Sequence, residues 1–89
     1  MANEIKSYKI NDHEIKFLKL NNNAYEIDIK FARKFNNDTS KMRKLLDKYK
    51  DKRVYGIIKK GNLKSMIVAR YFDFERINSS KDLYLYLRG

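Results

Sequence analysis

The chain has 89 residues, of which 43% are hydrophobic and 13% aromatic. This is the size of one domain, with enough apolar content for a packed core, so we reject wholesale disorder. The absence of cysteine excludes disulfides, thiolate zinc sites and cysteine nucleophiles, and no apolar run approaches the roughly 20 residues that span a bilayer. Lys and Arg outnumber Asp and Glu by 21 to 11, a net charge of +10. We therefore expect residues 1–89 to form a single cytoplasmic domain with a negatively charged partner and no membrane contact.

The first third of the sequence predicts three antiparallel strands. Residues 25–31 alternate apolar and charged side chains with a period of two, which is typical of a strand with one buried face. Residues 5–10 and 15–20 are less regular but rich in strand-forming residues. Asn11-Asp12 and Asn21-Asn22-Asn23 separate these segments and favour tight turns; His13, the single histidine, is placed in the first turn.

The period then changes to that of a helix. Met42, Leu45, Leu46 and Tyr49 follow at spacings of three, one and three residues, which places them on one helical face. A helix N-cap is available among the polar residues 38–40. The pattern predicts one amphipathic helix of about three turns.

The last part of the chain predicts further strands. Residues 53–59 and 63–74 are apolar runs joined by Lys60-Gly61-Asn62, which favours a hairpin, and residues 66–69 are apolar enough for a central strand. Residues 83–87 alternate Leu and Tyr, which favours a final strand over a short helix. The expected fold is therefore α+β: an antiparallel sheet of five to six strands in the order βββαββ(β), with one helix packed on it.

The excess charge is concentrated in the middle of the sequence. From Lys30 to Lys64 there are 13 basic and three acidic residues, whereas the rest of the chain is balanced at eight of each. Such a segment is typical of a surface that follows phosphates, and within the helix Lys41, Lys44 and Lys48 fall on one stripe. A solvated helix face is the structural alternative. The predicted nucleic-acid-binding residues are Lys30, Arg33, Lys34, Lys41, Arg43, Lys44, Lys48, Arg53, Lys59, Lys60 and Lys64.

Two tyrosines near the end of the chain are candidates for stacking on unpaired bases. If the Leu side of residues 83–87 faces the core, Tyr84 and Tyr86 face solvent. In a domain of this size core packing is the competing role for any aromatic side chain. Lysine outnumbers arginine among the predicted binding residues, which argues against sequence-specific reading of bases.

An enzymatic function has little support in the sequence. Glu26, Asp28 and Lys30 lie at the spacing of the (D/E)-x-K half of a metal-dependent nuclease site, but alternating charges on the wet face of a strand produce the same pattern. One histidine without a partner, and glycines without a phosphate-binding motif, offer no other site. We therefore predict no catalysis, no metal, no cofactor and no small-molecule substrate.

In size, charge and bias towards lysine and asparagine, the sequence resembles small phage proteins, including anti-CRISPR proteins; no motif carries this likeness. The leading hypothesis is a non-catalytic module from a phage or a low-GC bacterium that binds the backbone of DNA or RNA. The alternative is a phage-encoded, anti-CRISPR-like inhibitor that binds a host protein or guide RNA in a nucleoprotein complex. A protein that oligomerises along a strand edge is a third hypothesis, and the sequence does not predict an oligomeric state.

Overall fold

The fold is α+β, with six strands and two helices in a computed structural model that describes residues 4–30 and 39–89. The elements in chain order are β1 (Ile5–Ile10), β2 (His13–Asn21), β3 (Ala24–Lys30), α1 (Thr39–Asp47), β4 (Arg53–Lys59), α2 (Leu63–Tyr71), β5 (Glu75–Ser79) and β6 (Leu83–Arg88). The α+β class, the first three strands, α1 and the final strand are confirmed. Arg33, Lys34 and Asp38 lie outside the described residues.

The six strands form one mixed sheet in the order β1-β2-β3-β4-β6-β5. β1, β2 and β3 form an antiparallel meander, but β4 lies parallel to β3, and α1 connects the two. Parallel neighbours require such a crossover because a short turn cannot return the chain to the same end of the sheet. The predicted number of five to six strands is confirmed, and four of the five strand pairs are antiparallel as predicted. Wholly antiparallel pairing and a single helix are wrong, since β3 and β4 are parallel and a second helix interrupts the predicted order βββαββ(β).

The predicted hairpin of residues 53–74 is also wrong, since its second half is the helix α2. The Asn62 side chain accepts a hydrogen bond from the Ser65 backbone N–H at 3.2 Å and caps the helix. Gly61 adopts a φ of +97°, a conformation that glycine reaches at little cost, and so allows the sharp entry into α2. Thus the Gly-Asn pair starts a helix instead of joining two strands.

Both helices pack on one face of the sheet, here called the helix face. Its core is built from Ile15 and Phe17 of β2, Val54 of β4, and the apolar sides of α1 and α2. The opposite face, here called the open face, is not covered by any element of the described chain. His13 is the first residue of β2 and is buried on the helix face, so its placement in the turn is wrong.

The side chains of β6 lie on the opposite faces of the sheet from those predicted. Tyr86 is buried on the helix face with 3% of its surface exposed, whereas the leucines of β6 lie on the open face. Tyr86 lies directly across from Gly56 on β4. The alternation of Leu and Tyr in the sequence therefore predicts the strand correctly and its buried face wrongly.

Candidate nucleic-acid interface

Helix α1 holds the central lysines of the predicted interface. Met42, Leu45 and Leu46 are buried against the sheet, as the helical spacing predicts. Because these three residues occupy one side of the helix, its periodicity places Lys41 and Lys44 on the exposed outer flank of α1. Lys48, which is also exposed, follows the helix in the turn after Asp47.

Tyr49 fixes this end of α1 to the sheet. Its ring stacks on that of Phe17, with centroids 4.0 Å apart and an interplanar angle of 9°. Its hydroxyl forms a hydrogen bond of 3.0 Å with the hydroxyl of Tyr8 on β1, and burial raises the pKa of Tyr49 well above its usual range. The position of α1 relative to β1 is thus set by an aromatic cluster instead of by charged contacts.

Lys6 and Tyr8, which were not among the predicted residues, extend the basic surface of α1 onto the edge strand β1. Lys6 lies directly across from Phe17, and Tyr8 makes an edge contact with the same ring at 5.8 Å. The Lys48 ammonium group lies 5.4 Å from the centre of the Tyr8 ring, within the range of a cation–π contact. The alternation of residues 5–10 places Lys6 and Tyr8 on one face, but only the fold brings that face next to α1.

The basic groups on this side of the molecule define one surface, here called the α1 surface. It consists of Lys6, Lys41, Lys44 and Lys48. Within the described part of the chain, no carboxylate forms an ion pair with any of the four. Their charges are therefore available to an anionic partner.

Arg43 serves a different purpose from its neighbours on α1. Its guanidinium donates a hydrogen bond to the Tyr71 backbone oxygen at 3.0 Å and lies 3.6 Å from an Asp73 carboxylate oxygen. It also lies 5.1 Å and 5.4 Å from the ring centres of Tyr71 and Phe72. This predicted anchor joins α1 to the end of α2.

Three other predicted anchors lie on the far side of the sheet. Strand alternation places Lys30, Arg53 and Lys59 on the open face, whereas the lysines of α1 lie beyond the helix face. A single duplex on one face cannot contact both groups. The basic segment of the sequence is therefore divided by the sheet into two separate surfaces.

The remaining predicted residues lie around α2 and β6. Lys64 is in the first turn of α2, and Lys60 lies 5.1 Å from the centre of the Tyr84 ring. Arg76 lies 4.4 Å from the same ring, so cations already flank Tyr84, which is half-buried. Because Tyr86 is buried, the expectation that it is exposed for base stacking is wrong.

Acidic groups lie on both sides of the sheet. Glu14, Glu26, Asp28 and Glu75 lie on the open face. Glu14 pairs with Lys16 at 3.2 Å, and this contact lowers the pKa of the glutamate below its usual value. On the helix side Glu4, Asp47 and Asp73 each lie within ion-pair distance of a basic side chain, Lys19, Arg88 and Arg43 respectively. These contacts leave the four lysines of the α1 surface without an acidic partner among the described residues.

The described residues do not form a metal centre. Glu26, Asp28 and Lys30 share the open face, as their spacing predicts. Among the residues that the structure describes, no group of three or more His, Asp or Glu side chains could hold a metal ion. This surface therefore supplies alternating charges and no assembled ligand set.

Within residues 4–30 and 39–89, neither helix is long and apolar enough to cross a membrane. Comparison with known proteins finds no matching family model, no matching curated protein and no matching solved structure. The chemistry of the surfaces described above is therefore the basis for a functional proposal.

Proposed function

We propose that this protein is a non-catalytic module that binds the phosphate backbone of nucleic acid through the α1 surface. The observation that carries the proposal is a cluster of cations: Lys41, Lys44 and Lys48 are exposed along α1 and the turn that follows it, and none of the four lysines of the α1 surface forms an ion pair with a described acid. Phosphates would supply the missing counter-charges and release condensed cations into solution, which favours binding.

The dimensions of α1 suit this task. At about 1.5 Å of rise per residue, Lys41 and Lys48 are separated by roughly 10 Å along the helix axis. Over that length a duplex presents about six phosphate charges, so each lysine has a phosphate within reach. Because lysine side chains are flexible, they can adapt to the different phosphate spacings of DNA and RNA.

Binding on this surface should be independent of base sequence. Bidentate reading of guanine requires a planar guanidinium or a comparable fork, and Arg43, the arginine on α1, is held by α2. Lysine acts as a point charge and discriminates weakly between bases. We therefore expect similar affinities for unrelated sequences of the same nucleic acid.

A second candidate function is inhibition of a host nucleoprotein complex through protein contacts. Leu63, Ile67 and Tyr71 form an apolar stripe along α2, with exposed fractions of 67%, 69% and 52%. A stripe of this kind favours a protein partner. Tight binding to a host defence complex, together with negligible binding of free nucleic acid, would favour this candidate over the first.

Paired charge reversals test where nucleic acid binds. The variant Lys41→Glu/Lys44→Glu removes two lysines of the α1 surface, and Lys9→Glu/Lys59→Glu makes the same change in net charge on the open face. All four side chains are exposed. We expect the first variant to lose about tenfold or more in affinity on every sequence and to lower the salt slope by about two. The second variant, which retains the α1 surface, should bind much more tightly than the first.

Fluorescence anisotropy with labelled duplex DNA, single-stranded DNA and RNA measures both effects, and circular dichroism confirms that the variants fold. Equal losses in the two variants would show that total charge alone determines binding. A larger loss for Lys9→Glu/Lys59→Glu would move the interface to the open face and contradict the proposal.

A further inference from the structure

The open face carries a continuous apolar block on two neighbouring strands. It consists of Tyr55 and Ile57 on β4 and of Leu83, Leu85 and Leu87 on β6, and is here called the leucine block. Tyr55 pairs with Leu87 and Ile57 with Leu85, whereas Leu83 pairs with Lys59, which bounds the block at that end of β4. Ile57 is 52% and Leu83 38% exposed. An uncovered apolar surface at the centre of a sheet indicates a protein interface.

The charged residues beside the block restrict its partner. On β3 the open face carries Glu26, Asp28 and Lys30, so the charge changes sign along the strand. Glu26 lies in the same cross-strand row as Tyr55 and Leu87. The change from acid to base along β3 makes this part of the open face complementary to its own inverted copy.

We propose that the open face binds the open face of a second copy of this chain, with a two-fold axis that crosses the strands at the level of Ile57 and Leu85. This symmetry inverts each strand about that level. Leu83 then faces the partner's Leu87, and Glu26 faces the partner's Lys30. Such an isologous contact buries the leucine block and forms two equivalent ion pairs. Asp28 and its cross-strand neighbour Lys16 both lie at the axis level, so each faces its own copy and lies diagonally beside the opposite charge of the second subunit.

The geometry is that of a β-sandwich formed between subunits. Two sheets pack face to face about 10 Å apart with strand directions within about 30° of each other. Six strands about 4.8 Å apart and roughly 20 Å long present a face of roughly 600 Å². This is below the roughly 800 Å² per partner of a standard stable interface and in the size class of weak or transient association, which we test at micromolar protein concentrations. The α1 surfaces would then lie on opposite outer sides of the dimer.

Sedimentation equilibrium without nucleic acid tests the association, over about 5 to 500 µM protein to span a micromolar dissociation constant. We expect the wild-type protein to pass from monomer to dimer and Leu85→Lys to remain monomeric. The matched control is Ile67→Lys, an apolar-to-lysine change on the 69% exposed surface of α2, which should dimerise as the wild type does. Circular dichroism and thermal melting show whether each variant folds.

A charge swap tests the symmetry. Glu26→Lys and Lys30→Glu each place like charges opposite one another, so each single variant should weaken the dimer several-fold. The double variant Glu26→Lys/Lys30→Glu restores opposite charges and should restore the wild-type association. A monomeric wild type at all concentrations, retained dimerisation of folded Leu85→Lys, or no rescue by the double variant would overturn the proposal. Because this assay contains no nucleic acid and its variants lie away from the α1 surface, its failure is distinct from failure of the proposed function.

Discussion

At the scale of single residues, Tyr49 connects three parts of the molecule. The ring stacks on Phe17 of β2, makes an edge contact with Tyr25 of β3 at 5.0 Å, and places its hydroxyl against Tyr8 of β1. The helical spacing of the sequence predicts that Tyr49 faces the core. It does not predict the hydroxyl pair, since Tyr8 and Tyr49 are 41 residues apart and their contact depends on the register of the sheet.

The raised pKa of Tyr49 predicts a loss of stability in alkaline solution. An unfolded tyrosine ionises near pH 10, whereas burial keeps Tyr49 protonated in the folded protein. Its contribution to stability is therefore present below about pH 10 and is lost as the pH rises above that value, because only the unfolded state releases the proton. Tyr49→Phe should reduce this dependence while retaining the ring stack.

Urea unfolding at several pH values between about 8 and 11 measures this difference. The matched control is Tyr71→Phe, a 52% exposed ring outside the Tyr8–Tyr49 pair, which should leave the alkaline slope closer to that of the wild type. An unchanged slope in Tyr49→Phe would contradict the assignment.

At the scale of elements, α2 shows where sequence reasoning fails. Apolar residues occur all around this helix, so the sequence shows no helical period, and a short apolar run of this kind also fits a central strand. The capping residue Asn62 was the available signal. Because α2 replaces the expected hairpin strand, β4 pairs with β6 instead; the parallel pairing of β4 with β3 is a separate feature that follows from the α1 crossover.

Arg43 provides the test of how α1 and α2 are joined. Arg43→Ala removes a hydrogen bond to the Tyr71 backbone, an ion pair with Asp73 and two ring contacts. These contacts are partly exposed, so we expect a loss of about 1–2 kcal/mol in the free energy of unfolding. Lys44→Ala, an exposed neighbour on the same helix, should change it by less than about 0.5 kcal/mol.

Urea denaturation of the two variants supplies the comparison. Equal stability of both variants would show that Arg43 does not hold the helices together. In that case its guanidinium would return to the set of candidate phosphate contacts.

At the scale of the whole molecule, the sequence establishes the amount of positive charge but does not predict how the fold divides it between the two sides of the sheet. The run from Lys30 to Lys64 passes through β3, α1, β4 and α2, and strand alternation sends its members to both sides of the sheet. A linear count treats Lys30 and Lys44 as neighbours in one patch, whereas the fold separates them. The α1 stripe was predictable because a helix presents residues three and four apart on the same side.

Salt-dependent binding of free nucleic acid by the wild-type protein tests the central claim most directly. If the four lysines of the α1 surface contact phosphates, the logarithm of the association constant for duplex DNA falls linearly with the logarithm of the salt concentration, with a slope of about −3 to −4. Fluorescence anisotropy on unrelated duplex sequences, single-stranded DNA and RNA should give micromolar or tighter binding at low salt and little dependence on sequence. Negligible binding to all three, or binding that is insensitive to salt, would contradict a phosphate-binding function for this protein.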